Sequence, residues 1–148
     1  MAKHPAPSPR RAARETALRI LYTLEVGRAL RDEVIEETIA ANHLDESAAA
    51  FARALVLAVG ERTDDLDETI AQHAIGYPPE RQTVVDRAIL RMTLAEWTGQ
   101  LGDATPAILV TEAVEIAKKY STPEAARFIH GVLGGALART APTPSQET

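Results

Sequence analysis

The chain of 148 residues contains no cysteine, few aromatic residues and no long apolar run. Without cysteine it cannot form disulfides, thiolate nucleophiles or cysteine-ligated metal sites. No apolar stretch approaches the roughly 18 residues of a membrane helix, and the N-terminus lacks the apolar segment of a secretory signal. We therefore expect a cytoplasmic protein without a membrane segment. Because aromatic residues make up only 4% of the sequence, alanine and aliphatic side chains must fill the core, which favours packed helices.

The sequence also lacks the motifs of common catalytic and metal sites. Its four histidines have no paired spacing for zinc, and the acidic segment 64–68 lacks the glycine and final glutamate of a calcium-binding loop. No glycine-rich phosphate loop and no obvious nucleophile with a neighbouring base are present. We therefore predict that the protein is not an enzyme and that it has no metal site and no cofactor.

Charge is unevenly distributed along a chain whose formal net charge is −5. Residues 1–31 contain seven basic and two acidic residues, whereas the remainder contains nine basic and nineteen acidic ones. This asymmetry predicts a basic surface on an otherwise acidic body. Charge alone leaves two interpretations open. The basic residues form a surface for a polyanion, or they pair with acidic residues of the same protein.

Apolar residues recur at helical spacing through almost the whole chain, and no alternating strand pattern of useful length is present. The predicted fold class is therefore all-α, a compact helical bundle. Residues 9–140 form a single domain between disordered tails at 1–8 and 141–148. Capping residues, glycine and proline divide the domain into helices over about 9–26, 32–42, 46–73 and 84–98, with two more beginning at Thr105–Pro106 and near Thr122–Pro123. Ser121 is the alternative cap of the last helix.

Three arginines, Arg10, Arg11 and Arg14, lie in the first turns of the first helix, within an arc of about 100° beside its apolar stripe. The start of a helix is electrostatically positive, so each exposed cation there costs about 0.3–1 kcal/mol. A phosphate ligand would reverse this cost, and Tyr22 on the same flank offers a stacking surface for single-stranded RNA. The alternative is ion pairing within the protein, for example to Asp64, Asp65 or Asp67.

Four stretches, in this order, resemble the NusB family of bacterial transcription antitermination factors: RRAARETALRILY, VVDRAILRMTLAE, PAILVTEAVEIAKKYS and ARFIHGVLGGAL. The resemblance covers about residues 9–139. It implies a non-enzymatic protein with six to seven helices in two three-helix subdomains. It also implies binding to boxA-containing nascent RNA together with NusE, a small-subunit ribosomal protein. The implied role is read-through of terminators by the transcription elongation complex, notably in ribosomal RNA operons. NusB-like proteins occur as monomers or homodimers.

The resemblance also assigns roles to particular residues. It implies RNA contacts at the arginine-rich motif, at its terminal aromatic and at a later phenylalanine, and Lys3 of the tail completes this predicted set: Arg10, Arg11, Arg14, Tyr22, Phe128 and Lys3. It implies partner contacts at Asp86 and Glu124, which are equally suited to helix capping. His130 stands where the family usually has asparagine, and Gly134 where it has aspartate, a departure that concerns base-specific contacts. A protein-interaction adaptor without direct RNA binding is the alternative function.

Overall fold

The computed structural model describes residues 8–27 and 29–142. Lys3 lies outside the described residues, and so do the predicted tails at 1–8 and 141–148 except for Ser8, Ala141 and Pro142. The described part is all-α, as predicted, with six α-helices and one 3₁₀ turn, Pro79–Arg81. The helices are α1 Pro9–Val26, α2 Arg31–Ala41, α3 Glu46–His73, α4 Val84–Thr98, α5 Pro106–Tyr120 and α6 Pro123–Arg139. No helix in these two ranges is long and apolar enough to cross a membrane.

Side-chain oxygens cap five of the helices and fix where they begin. Each oxygen accepts the backbone N–H three residues further on, and the capping residues are Ser8, Asp45, Thr83, Thr105 and Thr122. The last helix therefore begins after Thr122, and the alternative cap at Ser121 is wrong. α2 begins at Arg31, one residue before its predicted start, and Leu30 provides no side-chain cap.

α3 is continuous but kinked. Arg62 departs from helical geometry, with φ −128° and ψ 23°, and its guanidinium donates to the Thr98 hydroxyl at the end of α4. The kink divides α3 into two segments, so the prediction of six to seven helices fits this chain by either count.

The two three-helix groups, α1–α3 and α4–α6, share one hydrophobic core. α4 is central and contacts α1, α3, α5 and α6, and fully buried aliphatic side chains such as Ile20, Leu55, Ile89 and Ile129 fill the space between helices. Burial of each such side chain contributes about 1.5–3 kcal/mol. α1 runs antiparallel to α4, because Arg14 pairs with Glu96 near the end of α4 and Glu25 pairs with Arg87 near its start.

Candidate nucleic-acid interface

Arg14 is buried in an ion pair with Glu96. Its Nε lies 2.8 Å from Oε1 and its Nη2 lies 2.6 Å from Oε2. The two side chains are 8% and 3% exposed. The loop between α4 and α5 packs over this pair at Gly102. A Cβ at this position would come within 3.3 Å of both Glu96 and the Phe51 ring, so glycine allows the close approach. Arg14 therefore fastens α1 to the last turn of α4.

Arg11 is also paired, but at the surface. Its Nε lies 2.7 Å from Oε1 of Glu112 on α5, and its Nη2 lies 2.6 Å from Oε2. The hydrogen bonds lower the pKa of Glu112 and raise the pKa of Arg11. Arg14 approaches the same carboxylate, with Nη1 3.5 Å from Oε1. Glu112 thus bridges two arginines of α1.

Arg10 differs from its two neighbours. Its guanidinium carbon lies 4.0 Å from the centroid of the Phe51 ring, an arrangement that favours a cation–π interaction. The residue is exposed, and none of the ion pairs formed among the described residues includes it. Within residues 8–27 and 29–142, Arg10 therefore presents an uncompensated positive charge at the start of α1.

Arg11 and Arg14 form ion pairs within the protein, which was the alternative interpretation of the arginine cluster, but their partners are not the aspartates suggested from the sequence. The carboxylates come from Glu96 and Glu112 rather than from 64–67 on α3, where Asp67 pairs with Arg91. Sequence spacing could not find these partners, because they lie 82 and 101 residues from the arginines they bind. One feature of the sequence could have indicated Glu96 as a buried partner. It lies on the same buried face of α4 as Ile89 and Thr93. RNA contact by all three arginines stays a prediction.

A second set of polar residues continues along α1 and α5. Glu15 Oε1 accepts hydrogen bonds from Lys119 Nζ and from the Tyr120 hydroxyl, both at 2.7 Å. Tyr120 in turn accepts from Arg19 Nη2 at 2.8 Å. Burial, together with the bond to Glu15, raises the pKa of Tyr120, and the same carboxylate raises the pKa of Lys119. The sequence analysis did not identify Arg19 or Lys119, although both are exposed cations.

Tyr22 shares a groove with Arg19 and Tyr120 of this network and with Val85, the residue before the partner-binding candidate Asp86. Its exposed ring lines an open groove of about 470 Å³ whose other walls include Val85 and Tyr120. Asp86 itself is buried and accepts a hydrogen bond from the Ser121 hydroxyl at 2.7 Å. The Asp86 N–H donates to the Thr83 hydroxyl, which is the Thr83 half of the predicted capping box. The Asp86 carboxylate accepts from Ser121, and its predicted role as the capping acid stays a prediction.

Phe128 and Glu124 lie on one face of α6, one turn apart. Phe128 is half-buried and packs edge-to-face on Tyr77, with ring centroids 5.3 Å apart. Ser121, just before α6, bonds to Asp86 in the first turn of α4, whereas Arg14 contacts the last turn of α4, so the start of α6 lies away from the arginines. Glu124 is exposed, with its carboxylate 4.0 Å from Arg127. The predicted RNA-binding residues are therefore distributed over two regions.

The two departures from the family pattern are compatible with this helix. His130 and Gly134 are both exposed on α6, and a Cβ added at Gly134 would meet no atom within 4 Å. Neither residue is required for packing within the described part of the chain.

Comparisons with known proteins agree with this architecture. A sequence model of the NusB family matches residues 11–138. The transcription antitermination protein NusB of Symbiobacterium thermophilum is 37% identical over 136 residues, covering 86% of this chain and 88% of that protein. The corresponding protein of Koribacter versatilis is 37% identical over 126 residues, covering 84% and 85%.

Solved structures give the same result at lower identity. The structure of T. maritima NusB matches with a TM-score of 0.83 and 28% identity, covering 93% of this chain and 96% of that one. A structure of NusB and NusE in complex with double-stranded RNA matches with a TM-score of 0.79 and 26% identity, covering 89% and 98%. The helix order, the shared core and these matches all lead to one conclusion: the chain belongs to the NusB family.

Proposed function

We propose that this protein is a transcription antitermination factor that binds boxA-type single-stranded RNA together with NusE and promotes transcription of ribosomal RNA operons. The observation that carries the proposal is the exposed Arg10 at the positive start of α1, which meets no carboxylate among the described residues of this acidic protein. Support also comes from family membership and from a related NusB whose structure holds NusE and RNA.

The RNA-binding face runs along α1 and α5, beginning at Arg10 and Arg11. Arg10 meets no carboxylate among the described residues, and Arg11 keeps Nη1 free of the bonds to Glu112. Further along, Arg19 hydrogen-bonds to two neutral groups, Asn42 and Tyr120, so its charge also stays available to phosphate. Lys119 is exposed on the same face, with its ammonium paired to Glu15. These cations supply the sequence-independent part of RNA affinity.

Arg14 serves this face mainly by position. Because its Nε and Nη2 bind Glu96 and its Nη1 reaches Glu112, it holds the start of α1 against α4 and α5 and so orients Arg10 and Arg11. Lys3, in the tail, extends the proposed contacts.

Aromatic rings and the partner-binding residues complete the proposal at the other end of α4. Tyr22 and Phe128 provide ring surfaces on which unpaired bases stack. Asp86 bonds to Ser121 at the start of α4, and the exposed Glu124 lies three residues after Ser121 in the first turn of α6, so this region is the proposed contact with NusE.

A titration with boxA RNA tests the proposal. The slope of log affinity against log salt reports the phosphates neutralised, about −0.7 for each contact with a single strand. Arg10→Ala should weaken binding and reduce the slope by about 0.7. Arg53→Ala is the matched control, because Arg53 is a surface arginine of α3 that pairs with Glu36 outside the proposed face.

One observation favours the adaptor function as the second candidate: two of the three arginines are already paired within the protein. An adaptor would bind NusE with full affinity but would show the same weak RNA affinity and salt slope in the wild type, Arg10→Ala and Arg53→Ala. That result would replace RNA binding with protein interaction as the function.

A further inference from the structure

We propose that Glu112 occupies the RNA-binding edge of Arg11 in the free protein as an internal substitute for phosphate, and thereby sets the RNA affinity of this face. This inference rests on the proposed function, since it concerns how Arg11 becomes available to RNA. It identifies an affinity-determining residue that is not itself a contact with RNA.

The geometry of the pair is that of anion recognition. Arg11 donates through Nε and Nη2 to the two oxygens of one carboxylate, at 2.7 Å and 2.6 Å. This paired arrangement is the one with which arginine also binds two oxygens of a phosphate group. A phosphate and Glu112 therefore cannot occupy this edge of the guanidinium at the same time.

The position of the pair allows exchange. The side chains of Arg11 and Glu112 are 28% and 19% exposed, whereas those of Arg14 and Glu96 are 8% and 3% exposed. An incoming phosphate can reach the Arg11 pair from solvent but cannot reach the Arg14 pair without opening the contact between α1 and α4.

A displaced Glu112 would keep a partner. Arg14 Nη1 already lies 3.5 Å from its Oε1, so a small rotation of the carboxylate away from Arg11 shortens that contact. Exchange therefore replaces the Arg11–Glu112 pair by an Arg11–phosphate pair and keeps the existing contact of Glu112 with Arg14. The Glu112 carboxylate thus pairs mainly with Arg11 in the free protein and with Arg14 when phosphate occupies Arg11.

The test compares two charge-removing substitutions on α5. Glu112→Gln frees Arg11 from a charged partner and should tighten boxA RNA binding about tenfold at low salt, the gain of one charge-assisted contact. Glu115→Gln is the matched control. Glu115 lies one turn after Glu112 on α5 and pairs with Lys118, so the substitution removes the same charge without releasing Arg11. We expect the control to change affinity by less than about twofold, as a screened surface charge.

A double variant, Arg11→Ala with Glu112→Gln, shows whether tighter RNA binding comes from freeing Arg11 or only from removing a negative charge near the RNA. In an Arg11→Ala background, Glu112→Gln should give no more tightening than Glu115→Gln. Glu112→Asp keeps the charge on a shorter side chain and should fall between the wild type and Glu112→Gln. Because it retains the charged partner of Arg14, this variant also serves if Glu112→Gln folds poorly.

The outcomes distinguish the inference from the proposed function. If Arg11→Ala weakens RNA binding but Glu112→Gln and Glu115→Gln behave alike, Glu112 does not compete with RNA and the inference is wrong. If neither Arg10→Ala nor Arg11→Ala alters the affinity or its salt slope, the proposed function fails at this face. Tightening by Glu112→Gln that disappears without Arg11 supports both.

Discussion

The two ends of α1 carry opposite arrangements of charge. At its start, α1 supplies arginines, and α4 and α5 supply the carboxylates Glu96 and Glu112. At its end, α1 supplies Glu25, and α4 supplies the arginines Arg87 and Arg91. The start keeps an excess cation, Arg10. The end lies beside a groove of about 660 Å³ that has an excess of acidic residues, including Asp64, Glu68 and Glu80.

The ion pairs at both ends of α1 fix its position along α4, and the start of α1 also carries the proposed RNA-binding face. A shift of α1 by one turn along α4 would separate arginine from carboxylate at both ends. The ends differ in burial, since the side chains of the Arg14–Glu96 pair are 8% and 3% exposed and those of Arg87 and Glu25 are 14% and 33% exposed. We therefore expect the start to depend more strongly on its ion pair than the end does.

The largest effect is expected at Arg14. Arg14→Ala leaves the buried carboxylate of Glu96 without its partner, and loss of one member of a buried pair costs about 3–5 kcal/mol of unfolding free energy. Urea unfolding followed by circular dichroism measures this loss. Arg53→Ala, at an exposed pair with Glu36, is the control and should leave the midpoint almost unchanged. Equal midpoints for the two variants would contradict a structural role for Arg14.

A smaller effect is expected at the other end of α1. Asp67→Asn removes the charged partner of Arg91 Nε and Nη2, but Arg91 keeps a second contact with Glu25. We expect a loss of about 1 kcal/mol, with RNA affinity unchanged. A drop in RNA affinity at constant stability would show that the acidic end also contributes to the RNA-binding face and would remove the distinction between the two ends.

Acid should weaken the start of α1 through Glu112. Its pKa in the folded protein is below the ordinary value of 4.5 because Arg11 donates to it, so the unfolded chain takes up the proton at higher pH. The pair therefore contributes stability above about pH 4.5, and this contribution is lost as the pH falls through the folded pKa. Urea midpoints of the wild type and Glu112→Gln should converge as the pH falls below 4.5 and through the folded pKa of Glu112. A constant gap would contradict this linkage.

The helices were predictable from sequence because their signals are local. A hydroxyl or carboxylate cap followed by proline or by an apolar stripe marks five of the six described helix starts, as at Thr83 and Thr105, and α1 and α4 have the predicted bounds. The start of α2 was less well defined because Leu30 offers no capping oxygen. The family, with its two three-helix groups, was predicted from the order of four motifs rather than from periodicity.

The use of the arginines could not be predicted from local signals. Arg10, Arg11 and Arg14 look alike on a helical projection. In the folded protein α3 provides an aromatic ring for Arg10, α5 a surface carboxylate for Arg11, and α4 a buried carboxylate for Arg14. The network around Glu15 was missed for the same reason, since its donors Lys119 and Tyr120 lie 104 and 105 residues away.

The smallest effect on stability is expected at Arg10, where the proposed effect on RNA is direct. Removal of its contact with the Phe51 ring costs about 0.5–1 kcal/mol, and removal of a cation from the positive start of a helix returns about 0.3–1 kcal/mol. The unfolding free energy of Arg10→Ala should therefore be close to that of the wild type, although the residue lies one turn from Arg14. Arg10→Lys keeps the charge and should retain most of the salt slope. If Arg10→Ala destabilised the protein as much as Arg14→Ala, the cation at the start of α1 would be structural, and the face proposed for RNA would lose its one uncompensated arginine in the cluster.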